Sequence, residues 1–147
     1  MKTVIFDLDG TLADTSGDLV AAANAAFRAL GLGELLDPIA DARTAMMGGG
    51  RAMLRAGFER IGKPFAETDI DAGYPLLLSA YARNIDQFST LYPGTAEAIE
   101  GLLSTGYRVG VCTNKPEALA HQLLCALGVR DLFGALVGAD TLTVRKP

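Results

Sequence analysis

Apolar positions along this chain follow two different periods. Thr3-Val4-Ile5-Phe6 is a short run of β-branched and aromatic residues leading into Asp7-Leu8-Asp9-Gly10-Thr11. A run of that kind, bounded by Asp and Gly, predicts a buried strand. A period of three to four residues then takes over. Leu19, Ala22, Ala23, Ala26, Phe27 and Leu30 predict an amphipathic helix closed by Gly31 and Gly33, with Asp14, Thr15 or Ser16 to cap it. Asp37-Pro38 reads as the next helix start, and Gly48-Gly49-Gly50 ends or breaks that helix. Arg51 to Ile61 reads as a further helix stopped by Gly62. Ile70, Tyr74, Leu77, Tyr81 and Ile85 continue the period, and Pro75 within it predicts a kink or a fresh start.

The texture changes at Leu91-Tyr92-Pro93-Gly94. Thr95 to Gly106 is helical in period, Arg108 to Cys112 is a short apolar strand, Glu117 to Leu127 is a helix, and Leu136 to Ala139 is another strand. Helix and strand alternating at such short spacings predict a parallel sheet covered by helices. The first strand cannot form a sheet alone and needs the later ones as neighbours. The economical arrangement is an α/β core of residues 1–14 and 90–147, interrupted by a helical insertion of residues 15–89 that stands over the C-terminal edge of the sheet. The crossings near Asp14 to Gly17 and Ser89 to Gly94 would then be hinges.

Composition narrows this picture. The chain has 147 residues, room for one modest domain with an insertion. Seventeen acidic against thirteen basic residues, with a net charge of -4 and no basic block, argue against a nucleic-acid partner. A small phosphorylated metabolite needs only local positive charge. Cys112 and Cys125 lack the spacing of a zinc site and read as thiols in a reducing compartment. No segment resembles a signal peptide or is apolar for long enough to span a bilayer, so the expectation is a cytoplasmic protein with no membrane partner. A homodimer is left open.

The candidate chemistry lies at strand ends. Asp7 and Asp9 alternate about Leu8, so both carboxylates can face one side, and such a pair can divide nucleophile from acid and base or hold a metal. The competing reading is an acidic Asp-Gly turn. Thr113-Asn114-Lys115 follows the second strand, where a hydroxyl, an amide and free N–H groups can hold a phosphate. The same residues, followed by Pro116, also suit a helix start with a solvated lysine. Lys146 follows the third strand and can balance charge beside the carboxylates, or be a surface group. Arg43, Arg51 and Lys63, with the glycine run, can close over an anion or simply solvate helices. His121 has no partners for a triad or a zinc cluster.

Taken in order, Asp7-Leu8-Asp9-Gly10-Thr11-Leu12, Cys112-Thr113-Asn114-Lys115 and Arg145-Lys146-Pro147, each behind an apolar strand, resemble the haloacid dehalogenase superfamily. The likeness is to its phosphoglycolate phosphatase branch, which Tyr92-Pro93-Gly94 and the helical insertion also resemble. The resemblance implies an open parallel sheet of Rossmann-like type with a small α-helical cap after the first strand. It implies Asp7 as nucleophile forming an aspartyl-phosphate, Asp9 as acid and base, and Mg²⁺ held by the Asp7 carboxylate and the Asp9 carbonyl. Thr11 would support the turn, Thr113 and Asn114 would grip the phosphoryl oxygens with Lys115 beside them, and Lys146 would be the charge-balancing lysine. Substrate choice would fall to the insertion, with Arg43 and Arg51 as candidates. An acid at position 9 speaks against the dehalogenating and phosphonate-cleaving relatives.

The implied activity is hydrolysis of a small phosphate monoester, 2-phosphoglycolate first. A sugar-phosphate mutase of the same fold is the alternative. The family's fourth motif, a Gly-Asp-rich loop, has no counterpart before Pro147, so the resemblance also implies that the C-terminal part of the core is missing. On that expectation this chain alone has little phosphatase activity, and an inactive binding or scaffold protein is the alternative of a different class.

Overall fold

The structure, a computed structural model, describes residues 2–147. Along the chain run β1 (Thr3–Phe6), β2 (Ala13–Asp14), α1 (Ser16–Ala29), α2 (Ala42–Ile61), α3 (Glu67–Arg83), β3 (Thr90–Leu91), α4 (Thr95–Ser104), β4 (Arg108–Cys112), α5 (Glu117–Ala126) and β5 (Ala135–Val137). They fall into two compact units, Met1–Asp14 with Ser89–Pro147, and Thr15–Phe88.

In the first unit β1, β4 and β5 form a parallel sheet in the order β1-β4-β5. Val4 lies opposite Val109, Phe6 opposite Val111, and Gly110 opposite Ala135. β-branched side chains suit a pleated surface buried on one face, and Val109 and Val111 are enclosed there. Ile99 of α4 and Ala120, Leu123 and Leu124 of α5 are buried in the same unit. The end of β5 comes so close to the start of α5 that a Cβ on Gly138 would lie 2.5 Å from Glu117 Cα. Only glycine permits that approach. The strand expected at Leu136 to Ala139 is Ala135–Val137, because Gly138 and Ala139 leave the sheet for this packing.

A second, two-stranded sheet pairs β2 with β3 antiparallel, Ala13 opposite Leu91 and Asp14 opposite Thr90. Two-residue strands carry no readable period, and the pair is absent from the sequence expectations for that reason. Tyr92 follows it. Burial pushes its phenol pKa up, and the Asp14 carboxylate adds to that shift.

The second unit is helical. α1 ends where the period predicts, and Gly31 at φ 75 lets Leu32 N–H turn back to Phe27 O at 2.9 Å. The buried Asn24 amide then fastens the following loop to α1. Its Nδ2 donates to Leu36 O at 2.8 Å, and its Oδ1 accepts from Leu35 and Leu36 N–H at 3.1 and 3.0 Å. The helix predicted from Asp37-Pro38 begins instead at Ala42. Asp37 Oδ1 accepts from the N–H groups of Ile39 and Ala40 at 2.8 and 2.7 Å, a local turn that competes with helix. Helix α2 continues past the glycine run but breaks its geometry at Gly49, with φ 68 and ψ -165.

Helix α3 runs on through Pro75. Ile70, Gly73, Leu77, Ala80 and Tyr81 are buried along it, and packing against α1 and α2 outweighs the lost hydrogen bond. At the two ends of this unit, the buried Asp18 carboxylate accepts Phe88 N–H with both oxygens at 3.0 Å. Among the described residues, no helix is long and apolar enough to cross a membrane.

Candidate active site

β1 delivers Asp7 and Asp9 at its C-terminal end, with Leu8 between them fully buried as the anchor. The chain then folds back tightly. The N–H groups of Thr11, Leu12 and Ala13 converge on Leu8 O at 3.2, 3.0 and 3.3 Å, and Gly10, at φ 76, donates its N–H to Ala13 O at 2.9 Å. Leu12 O in turn accepts Tyr92 N–H at 3.0 Å and the Thr95 hydroxyl at 3.2 Å, so the β3–α4 segment braces the turn. Thr11 sits exposed at its tip. Asp7 Oδ1 accepts from Leu8 N–H at 2.7 Å.

Because β4 lies parallel to β1 with Phe6 opposite Val111, both strands end at the same edge, and Thr113-Asn114-Lys115 emerges beside Asp7. Each carboxylate meets its own lysine there. Lys146 Nζ is 2.8 Å from Asp7 Oδ1 and also donates to Cys112 O at 3.2 Å. Lys115 Nζ is 2.8 Å from Asp9 Oδ1. Thr113 is buried, and its Oγ1 accepts Lys115 N–H at 3.1 Å. Asn114 Nδ2 donates to the Lys146 carbonyl at 3.3 Å. The contacts thus form two sets, Asp7–Lys146–Asn114 and Asp9–Lys115–Thr113, both drawing on neighbouring positions after β1 and after β4.

The bland reading of Thr113-Asn114-Lys115 as a helix cap with a solvated lysine does not describe this structure. Asp140 Oδ1 takes Glu117 N–H at 2.8 Å and caps α5, while Lys115 is buried. Nothing in the sequence pattern pointed to Asp140. A signal for the enclosure of Lys115 was available in the apolar strand before it and the proline after it.

Arg43 and Arg51 belong to the second unit, both on α2. Arg43 is exposed. Arg51 is engaged by Asp71 at 2.8 Å and Glu67 at 3.2 Å, with its guanidinium 5.7 Å from the Tyr74 ring centre. His121 is exposed on α5, where its Nδ1 accepts from Arg130 Nε at 3.2 Å.

The Asp7 carboxylate and the main-chain carbonyl of Asp9 are hard oxygen donors, which suit Mg²⁺, an ion that binds one or two carboxylates and keeps several waters. Among the described residues no group of three or more His, Cys, Asp or Glu side chains is arranged to hold a metal. A magnesium ion bound by these donors would keep most of its shell as water. Together, the Lys146 ammonium and the Thr113 hydroxyl beside Asp7 can receive a dianionic phosphoryl group and share its charge.

The family model of the haloacid dehalogenase-like hydrolases matches residues 1–147. A phosphoglycolate phosphatase of Agrobacterium fabrum is 39% identical over 144 residues, covering 97% of this chain and 60% of the relative. One from Caulobacter vibrioides is 37% identical over 145 residues, covering 99% of this chain and 60% of the relative. The crystal structure of a predicted phosphoglycolate phosphatase from Haemophilus somnus superposes with a TM-score of 0.85 at 27% identity, covering all of this chain and 66% of that one. The chain thus spans about 60% of the length of these curated relatives.

Proposed function

We propose, from the premise that the chain belongs to the haloacid dehalogenase-like hydrolases, that its strand-end cluster is the phosphoryl-transfer site of a magnesium-dependent phosphomonoesterase. The substrate is a small anionic ester, with 2-phosphoglycolate first. The observation that carries this reading is the matching of Asp7 and Asp9 each with a lysine, beside Thr113 at the end of the neighbouring parallel strand.

In this reading an Asp7 carboxylate oxygen attacks phosphorus in line, and the bond from phosphorus to the ester oxygen breaks. Asp9 gives its proton to that departing oxygen, leaving an aspartyl-phosphate on Asp7. Asp9, now a carboxylate, takes a proton from water as the water oxygen attacks phosphorus, and Asp7 and inorganic phosphate are released. Lys146 neutralises the charge that gathers beside Asp7, and Thr113 and Asn114 hold the phosphoryl oxygens. Thr11 supports the turn that carries Asp9. Magnesium, held by the Asp7 carboxylate and the Asp9 carbonyl, would supply further neutralisation of the phosphoryl charge. The insertion supplies the groups that choose the ester, with Arg43 and Arg51 as candidates. Arg51 must first exchange Glu67 and Asp71 for substrate.

The test is phosphate release from 2-phosphoglycolate by the full-length protein with Mg²⁺. Asp7→Asn abolishes it. Steady release that survives Asp7→Asn overturns the reading, and accumulation of an isomerised sugar phosphate without free phosphate assigns a mutase instead.

A further inference from the structure

Lys115 is more enclosed than the other charged partners at this edge. Its side chain is 5% exposed, against 30% for Lys146, and Asp9 beside it is 18% exposed against 43% for Asp7. Its main chain is held from two sides. The N–H donates to Thr113 Oγ1 at 3.1 Å, and the carbonyl accepts Ala139 N–H at 2.9 Å. Pro116 follows and restricts the backbone further. Burying an ammonium is costly unless an opposite charge meets it, and Asp9 Oδ1 at 2.8 Å does so. Here the ammonium is already committed to a side chain of the site.

We propose that Lys115 is a positioning residue for the Asp9 carboxylate, and not a ligand of the phosphoryl group. Its bond to Oδ1 fixes the Asp9 rotamer, and its charge favours the carboxylate that forms as the proton passes to the departing oxygen. When the bond from phosphorus to the ester oxygen breaks, its electron pair goes to that oxygen, which takes the Asp9 proton. Lys115 exchanges no proton in the step. The inference rests on the reading of Asp9 as the acid of the site.

Proton delivery matters in proportion to the basicity of the leaving group. An alkoxide departs poorly without a proton, whereas a nitrophenolate needs little help. A group that acts through Asp9 therefore discriminates between esters, and a group that binds the phosphoryl oxygens does not.

The experiment compares kcat/KM of the full-length protein on 2-phosphoglycolate and on p-nitrophenyl phosphate. Lys115→Met is expected to lose about tenfold or more beyond its aryl loss on the alkyl ester. Asp9→Asn shows the same bias, and adding Lys115→Met to it deepens the bias little. Lys115→Arg, which keeps the charge, recovers part of the alkyl turnover while retaining some bias. Equal losses on the two esters, or none, overturn the proposal. Should Lys115→Met fail to fold, a uniform loss in Lys115→Arg overturns it equally. An Asp9→Asn variant without bias sinks the acid role and this inference with it. Steady turnover in Asp7→Asn sinks the nucleophile reading beneath both, so the failures are distinguishable.

Discussion

Lys146 is separated from Asp7 by most of the chain, yet its Nζ sits 2.8 Å from Asp7 Oδ1, with Cys112 O as a second acceptor at 3.2 Å. A cation held in place before reaction stabilises charge that develops in the transition state, and its removal costs rate more than binding. Lys146→Met is expected to lower kcat by about 10²–10³-fold with a small change in KM. Because the pair is partly solvated, its contribution to stability is about 1 kcal/mol or less. Steady-state kinetics alongside thermal melts of the same variant check both outcomes.

Arg60 grips Asp41 with two parallel bonds, Nη1 to Oδ2 at 2.6 Å and Nη2 to Oδ1 at 2.7 Å, and Nη1 also donates to Leu35 O at 2.7 Å. The Arg60 hydrogen bond, which outweighs the opposing cost of burial, holds the Asp41 carboxyl below its ordinary value of 3.8. The folded value is the lower one, so the unfolded chain binds the proton first as pH falls. The stabilisation is therefore complete above pH 3.8 and is lost as pH drops through the folded value. Arg60→Met is expected to cost about 1–3 kcal/mol at neutral pH, and the gap from the wild type should close along the acid limb. Denaturant melts across that range measure the gap.

Gly57 on α2 lies against the Phe27 ring of α1. A Cβ there would collide with Phe27 Cζ and stand 2.5 Å from Cε2. Phe27 is fully buried and edge-on to Phe58, with ring centres 5.6 Å apart, so it has little room to yield. Gly57→Ala is expected to cost about 1–3 kcal/mol by overpacking. The loss should appear as a lower urea midpoint at unchanged slope. Adding Phe27→Leu should recover part of it.

Gly49 and Gly62 separate backbone strain from crowding. Neither would bring a Cβ within 4 Å of a neighbour, yet Gly49 holds φ 68 with ψ -165 while Gly62 holds φ 67 with ψ 16. The first conformation is essentially open to glycine alone, and the second is an ordinary left-handed cap that alanine enters at modest cost. Gly49→Ala should cost about 1–3 kcal/mol and Gly62→Ala about 1 kcal/mol. Their melting temperatures rank the two.

Periodicity was informative wherever burial imposed it. The apolar run before Asp7 and the one at Arg108–Cys112 are strands, but the first is not buried as its apolar run predicts: β1 lies at the edge of the sheet in the order β1-β4-β5, and Ile5 is 56% exposed. Helices α1, α4 and α5 lie close to where their apolar stripes place them. It misled where a local contact beat it. Asp37 spends its carboxylate on a turn, so the helix starts late, and Pro75, itself exposed, is absorbed because Ile70, Leu77, Ala80 and Tyr81 of the same helix are buried. The pairing of Ala13–Asp14 with Thr90–Leu91 had no signal, since two residues cannot show a period.

By itself, then, the sequence determined that two carboxylates end an apolar strand, that a Thr-Asn-Lys turn ends a second, and that a lysine follows a third. Those facts follow from apolar runs and the residues that stop them. Only the tertiary structure decided the partners. Parallel pairing of β1 with β4 brings Lys115 against Asp9, and the chain beyond β5 brings Lys146 against Asp7. A lysine has the same letter whether it is solvated or buried. Its state depends on the desolvation and the opposite charge that neighbouring strands impose, and those arise only when the sheet is assembled.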